Sequence, residues 1–262
     1  MSEKNDKYIL QSVSNSLDIL DLLAENKNLS VPEISELSGF GKSSVFRILA
    51  TLEDKNYVKK SEDARYSLDI KLAYLGQAAM DQDNLIKYCH PYLETLSAKS
   101  GETSHLTISY RTFFIRFIDK VVSNATIHMD SHTGFIRHSH YTAGGKILLA
   151  YSSDLTQENY IQNVSFDAMT KKSILSGEAL MKELKKIKKQ GYAIDDEESE
   201  YGLFCIAAPI FDFSGQAIAA VSISGPTARM LENMERNIML VSETGKTITD
   251  MLCSAIFPDM MN

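Results

Sequence analysis

An α/β chain with a winged helix-turn-helix at its N-terminal end is the fold class that the sequence predicts, and three observations carry it. Ser30 and Glu33 have the S-x-x-E spacing of a capping box, in which a hydroxyl and a carboxylate satisfy orphan amides at a helix start. Gly39-Phe40-Gly41 then breaks the apolar pattern where the chain must reverse. Beyond about residue 100, apolar runs of period two alternate with helical stretches, which predicts a mixed α/β region built on an antiparallel sheet flanked by helices.

In chain order, a first helix is expected from about Ser12 to Asn26. Val13, Leu17, Leu20 and Leu23 would form the stripe that packs behind the turn motif. The next helix carries Ile34 and Leu37. After the glycine turn, Val45, Ile48, Leu49 and Leu52 fall at i, i+3, i+4 and i+7, the buried stripe of another helix. Its opposite face carries Lys42, Ser43, Ser44, Arg47 and Thr51, donors of the kind that meet phosphates and base edges in a major groove. Tyr57 to Lys60, the turn Ser61-Glu62-Asp63-Ala64 and Arg65 to Leu68 read as a two-stranded wing, with Lys59, Lys60 and Arg65 as further DNA-contact candidates.

Leu68, Leu72 and Leu75 lead out of this module towards Gly76, and the composition turns polar at Asp81-Gln82-Asp83-Asn84. The expected domains are therefore 1–80, a DNA-binding module with the start of a linker helix, and 81–262, a domain for ligand binding and self-association. Leu85 to Ser100 reads as a helix in which Pro91 marks a start or a kink. Ser104 to Tyr110 and Phe113 to Ile118 form a candidate hairpin, and Gly144-Gly145 opens a helix through Ala150. Gly177 to Gln190 is a charged helix whose lysines face solvent. Strands Cys205 to Phe211 and Ala217 to Ser224 flank the turn Asp212 to Gln216, and a long helix from about Thr227 to Ala255 closes the pattern.

Composition narrows the function. The 262 residues are 44% apolar and 23% charged, with a net charge of −7, which argues against polyanion binding over the whole surface. From Phe40 to Lys60, however, five Lys/Arg stand against two acids, and a local basic face is what docking on DNA requires. Cys89, Cys205 and Cys253 are widely spaced and suggest neither a disulfide framework nor a zinc site. No cofactor or metal is expected. The first ten residues lack a signal-peptide core, and no apolar run approaches the ~20 residues of a membrane span. The expectation is a cytoplasmic protein with no membrane partner.

Several segments, taken together, resemble the IclR family of bacterial transcriptional regulators: SVSNSLDILDLLAE, SVPEISELSGFGKSSVFRILATLEDKNYV, YSLDIKLAYLG, HPYLETLSAKSGETSHL, TAGGKILLAY and GYAIDDEESEYGLFCIAAPIFDFSGQAIAAVSISGP, closing on Thr227-Ala228-Arg229. Their order and spacing run from Ser12 to Arg229. The resemblance implies a winged helix-turn-helix, a linker helix and a GAF-like α/β effector domain. It also implies dimers or tetramers on palindromic operators, and control by a small organic-acid effector. Asp69, His90 and His140-Tyr141-Thr142, the last on the approach to the pocket loop, depart from the usual pattern, and they leave the ligand's identity open.

Carried over residue by residue, the effector site would be Ala143 and Gly144 at the start of the Gly-Lys helix, Asp195, Cys205, and Ser222 with Ser224. A helix start with free N–H groups attracts anions, and hydroxyls at i and i+2 on a strand share a face. They could bind a carboxylate oxygen or a hydroxyl. Each residue also has a plainer reading: Cys205 as a small buried hydrophobe, the serines bonded to neighbouring backbone, and Asp195 as a turn residue. Two other functions stand beside the regulator. One is a sensor whose helix-turn-helix only dimerises, against which Lys42, Arg47, Lys59 and Lys60 speak. The other is a cysteine-dependent enzyme, which would need a base near Cys205, yet no histidine lies within twenty residues of it.

Overall fold

A computed structural model describes residues 9–79, 82–129 and 131–254, and the chain divides between Asp81 and Gln82 into two compact units. The first contains α1 (Gln11–Glu25), β1 (Leu29–Ser30), α2 (Val31–Ser38), α3 (Lys42–Asp54), β2 (Val58–Lys60), β3 (Arg65–Leu68) and α4 (Lys71–Ala79). Glu33 accepts hydrogen bonds from the Ser30 backbone N–H at 2.7 Å and its hydroxyl at 2.6 Å, so the capping box starts α2 as expected. Gly39, at φ 73°, ends it in the left-handed region, where a residue without Cβ bears no steric cost. Ile34, Val45, Leu49, Leu52, Val58 and Tyr66 are buried together with Ile19 and Leu23 of α1.

The first helix corrects an expectation. Val13 and Leu17 are 51% and 55% exposed, whereas Ile19 and Leu23 are buried. Leu17 lies two residues, or about 200°, from Ile19 around the helix, so Val13 and Leu17 of the expected stripe face away from the core while Leu20 and Leu23 pack into it. The wing also has a third strand, because β1 pairs with β3 and the sheet order is β1-β3-β2.

The second unit runs α5 (Gln82–Ser100), β4 (Thr103–Tyr110), β5 (Phe114–Val121), β6 (Ile136–His138), a single 3-10 turn at Ser139–Tyr141, α6 (Ala143–Ala150), α7 (Asp154–Asn163) and α8 (Gly177–Gln190). It continues β7 (Ala193–Asp196), β8 (Leu203–Phe211), β9 (Ala217–Pro226), α9 (Thr227–Glu232) and α10 (Met234–Ser254). The strands form one antiparallel sheet in the order β6-β5-β4-β9-β8-β7. Period two assigns its faces. Leu106, Phe204, Ile206, Val221 and Ile223 pack with α5 and α10. Cys205, Ala207 and Ala220 point the other way, towards α6 and α8.

Pro91 lies in the interior of α5 rather than near its start, where it removes one i→i−4 hydrogen bond. The long closing helix is broken at Asn233. That residue has φ −110° and ψ 20°, and its side-chain amide donates to the Arg229 carbonyl at 3.2 Å, a polar side chain competing with the helix ladder. The expected end at Ala255 lies outside the described residues. Strands β6 and β7 and helix α7 had no counterpart in the sequence reading, being short or weakly periodic.

Candidate functional site

In the first unit, Lys42, Ser43, Ser44, Arg47 and Thr51 are all exposed on the face of α3 opposite Val45, Leu49 and Leu52. The Thr51 hydroxyl donates to the Arg47 carbonyl at 2.9 Å, so it reaches a ligand only as an acceptor. Phe46, 55% exposed among these donors, was not singled out from the sequence although its position next to Arg47 was legible. Lys59 and Lys60 are exposed on β2, and the Lys60 ammonium lies 5.6 Å from the Tyr66 ring centroid.

Arg65 must be set apart from these cations. Its guanidinium grips Glu33 through Nη1 at 3.0 Å and Nη2 at 3.2 Å, and it also donates to the Asn28 carbonyl. Glu33 is held down at about 2 by the Ser30 hydroxyl first, then the Ser30 N–H and Arg65. Arg65 thus ties the wing to the start of α2, through a partner 32 residues upstream that no local pattern could have revealed.

In the second unit, the six residues expected around an effector line one cavity. Strand register explains how. Asp195 pairs with Cys205 and Cys205 with Ser224, a row across β7, β8 and β9. Ser222 pairs with Ala207 on one side and His105 on the other, a second row reaching β4. The start of α6, Thr142 to Gly144, closes over these rows. Thr142 caps the helix by accepting the Gly145 N–H at 3.1 Å. Gly145 permits that closure, since a Cβ there would lie 2.4 Å from the Ser139 carbonyl oxygen.

The polar groups are unequally available. Asp195 is 1% exposed, and its carboxylate accepts from the Glu198 N–H at 2.7 Å, the Ser199 N–H at 3.3 Å and the Ser199 hydroxyl at 2.6 Å. It therefore both borders the cavity and holds the turn that follows β7. Burial pushes its carboxyl up, with Lys146 opposing. The Lys146 ammonium, fully buried on α6, is paired with Glu198, whose carboxyl burial raises to about 7 against the pull of that cation. The Cys205 thiol is pushed well above its usual value by burial and by Asp195.

His105 meets Ser131 Oγ through Nε2 at 2.7 Å and lies 3.5 Å from Ser224 Oγ through Nδ1. Burial, and secondarily Lys120, lower its pKa to about 3, so the ring is neutral. Thr142, on the approach to the pocket loop, also lines the cavity, and Phe117, Met129, Arg137, Ser199 and Leu203, which were not identified from the sequence, complete the lining. Among the described residues, no group of His, Cys, Asp and Glu is arranged to hold a metal, and no helix is long and apolar enough to cross a membrane.

Comparison with known proteins settles the family. Residues 12–62 match the IclR helix-turn-helix domain, and residues 77–250 match the bacterial transcriptional regulator IclR C-terminal domain. The chain belongs to the IclR family. Among its relatives, the HTH-type transcriptional regulator KdgR of Dickeya chrysanthemi is 34% identical over 93% of this chain and 80% of its own. XynR of Escherichia coli is 32% identical over 85% of this chain and 88% of its own. The crystal structure of Thermotoga maritima IclR superposes with a TM-score of 0.62 at 32% identity, covering 92% of this chain and 98% of that one. This IclR-type chain is accordingly a DNA-binding transcriptional regulator, and α2, the glycine turn and α3 are its helix-turn-helix.

Proposed function

We propose that this regulator docks α3 in the major groove through Lys42, Ser43, Ser44, Arg47 and Thr51, with Lys59 and Lys60 of the wing on the flanking phosphates. A small organic acid binds at Ala143, Gly144, Asp195, Cys205, Ser222 and Ser224 and changes operator affinity. The observation that carries this reading is the convergence of polar residues from three strands and a helix start on one buried cavity. A carboxylate beside Asp195 is repelled unless one of the two is protonated or the ligand offers a hydroxyl to donate, which favours a sugar acid or a keto acid with a hydrated carbonyl. The raised Cys205 thiol supports binding rather than catalysis, because the protonated thiol is a poor nucleophile and a serviceable hydrogen-bonding group. The acting form is at least a dimer in the cytoplasm, two recognition helices reading half-sites about one helical turn or a multiple apart.

A thermal-shift screen of small organic acids tests the ligand class. An acid at about 100 times its dissociation constant stabilises the unit that binds it by about 2.7 kcal/mol. The double variant Ser222→Ala with Ser224→Ala should lose the effector response in a gel shift while keeping operator binding. A normal response in that variant rejects the pocket.

A further inference from the structure

Two neighbouring chambers of the second unit share four lining residues, and their linings otherwise differ. The inner one, of about 30 Å3, is walled by the α6 start, Cys205, Ser222, Ser224 and neutral His105. The outer one, of about 330 Å3, includes Ile127, His128, Phe135, Glu200 and Tyr201 in its walls. Met129, Arg137, Ser199 and Leu203 line both and so form the throat between them.

Arg137 is the single lysine or arginine among the described residues lining either chamber. It lies on β6, in register with Ile115 of β5. Its guanidinium carbon is 3.8 Å from the centroid of the Phe135 ring. Stacking orients the planar fork without consuming its N–H donors, which remain suited to a bidentate carboxylate. The inner end offers an anion less. Asp195 stands there as a buried carboxyl group, and a second carboxylate beside it meets like-charge repulsion. A chamber of about 30 Å3 also admits little more than a water-sized group.

We propose that Arg137 is the specificity-determining anchor for the effector's carboxylate, which it holds at the throat. The neighbouring hydroxyl or carbonyl oxygen then enters the inner chamber towards Ser222, Ser224 and His105, and the carbon tail lies in the outer chamber. This assignment rests on the organic-acid reading above. It reverses the simplest expectation, in which the α6 start and the serines take the carboxylate themselves.

The test uses the full chain and calorimetric titration with pyruvate, D-glycerate and D-gluconate, with glycerol and D-glucitol as neutral counterparts. Arg137→Gln should weaken the best-binding acid at least tenfold, a loss of about 1.4 kcal/mol. It should also remove the salt dependence of that binding and leave the ligand-free melting temperature unchanged. Arg137→Lys, which keeps the charge and loses the fork, should fall between the two. Wild-type affinity in Arg137→Gln, with binding lost in Ser222→Ala/Ser224→Ala, overturns the anchor and leaves the organic-acid reading standing. If none of the three acids binds the wild-type chain, that reading falls and the anchor with it.

Discussion

The recognition face of α3 and the cavity beneath α6 are built in opposite ways. On α3 the polar residues all project from one helix into solvent, while Val45, Leu49 and Leu52 on its other side hold the fold. Around the cavity the same residues serve both purposes: Asp195 borders it and ties down its own turn, and Lys146 and Glu198 form a buried ion pair behind it. Function on α3 is thus separable from stability, whereas at Asp195 the two are joined in one side chain.

The most severe challenge to that contrast is Lys146→Ala. It leaves Glu198 and Asp195 as buried carboxyl groups without their cation and should cost about 3–5 kcal/mol. Denaturant unfolding followed on residues 82–262 reads the loss; a cost no larger than that of an exposed lysine would show the pair to be incidental. Arg47→Ala is the counterpart on α3. It should weaken operator binding by about 1–3 kcal/mol in a gel shift and leave thermal unfolding unchanged.

Acid tests the contrast further, because among the described residues the buried carboxyl and imidazole groups all lie in the second unit. His105 has a folded pKa of about 3 against 6.5 for the free side chain. Below 6.5 the unfolded chain binds a proton that the folded chain refuses, so stability is fully present above 6.5 and is lost as pH falls towards about 3. Each pH unit in that window should cost up to about 1.4 kcal/mol. Glu198, raised from 4.5 to about 7, works in the opposite sense between those values, and His140, lowered by burial to about 4, works in the same sense as His105, so the wild-type curve alone would blend all three. The difference between wild type and His105→Gln, measured by thermal melts from pH 7 to pH 4, isolates the histidine. Parallel curves would mean that the ring takes up its proton while folded.

The smallest expected effect separates Arg65 from its basic neighbours. Arg65→Ala should lower the stability of the winged unit by about 1 kcal/mol, the pair with Glu33 being bidentate yet half exposed. Lys59→Ala and Lys60→Ala should leave stability alone and each reduce the salt slope of DNA binding by about one. A salt-slope change in Arg65→Ala equal to theirs would return it to the set of phosphate contacts.

The features legible in the amino-acid order alone are those that local forces decide. The capping box at Ser30 and Glu33, the left-handed Gly39 and the stripe of α3 need only neighbours within one or two helical turns. The period-two strands Cys205 to Phe211 and Ala217 to Ser224 likewise declare that Ser222 and Ser224 share a face. Tertiary structure decided which face of α1 is buried, since Val13 and Leu17 are as apolar as Ile19 and only the shape of the core selects between them. It also decided that Arg65 closes on Glu33, that Lys146 is buried, and that Arg137 stands at the cavity with Ser222 and Ser224. Each of these depends on partners brought together across a sheet from distant parts of the chain, and such separations leave no trace in periodicity or composition.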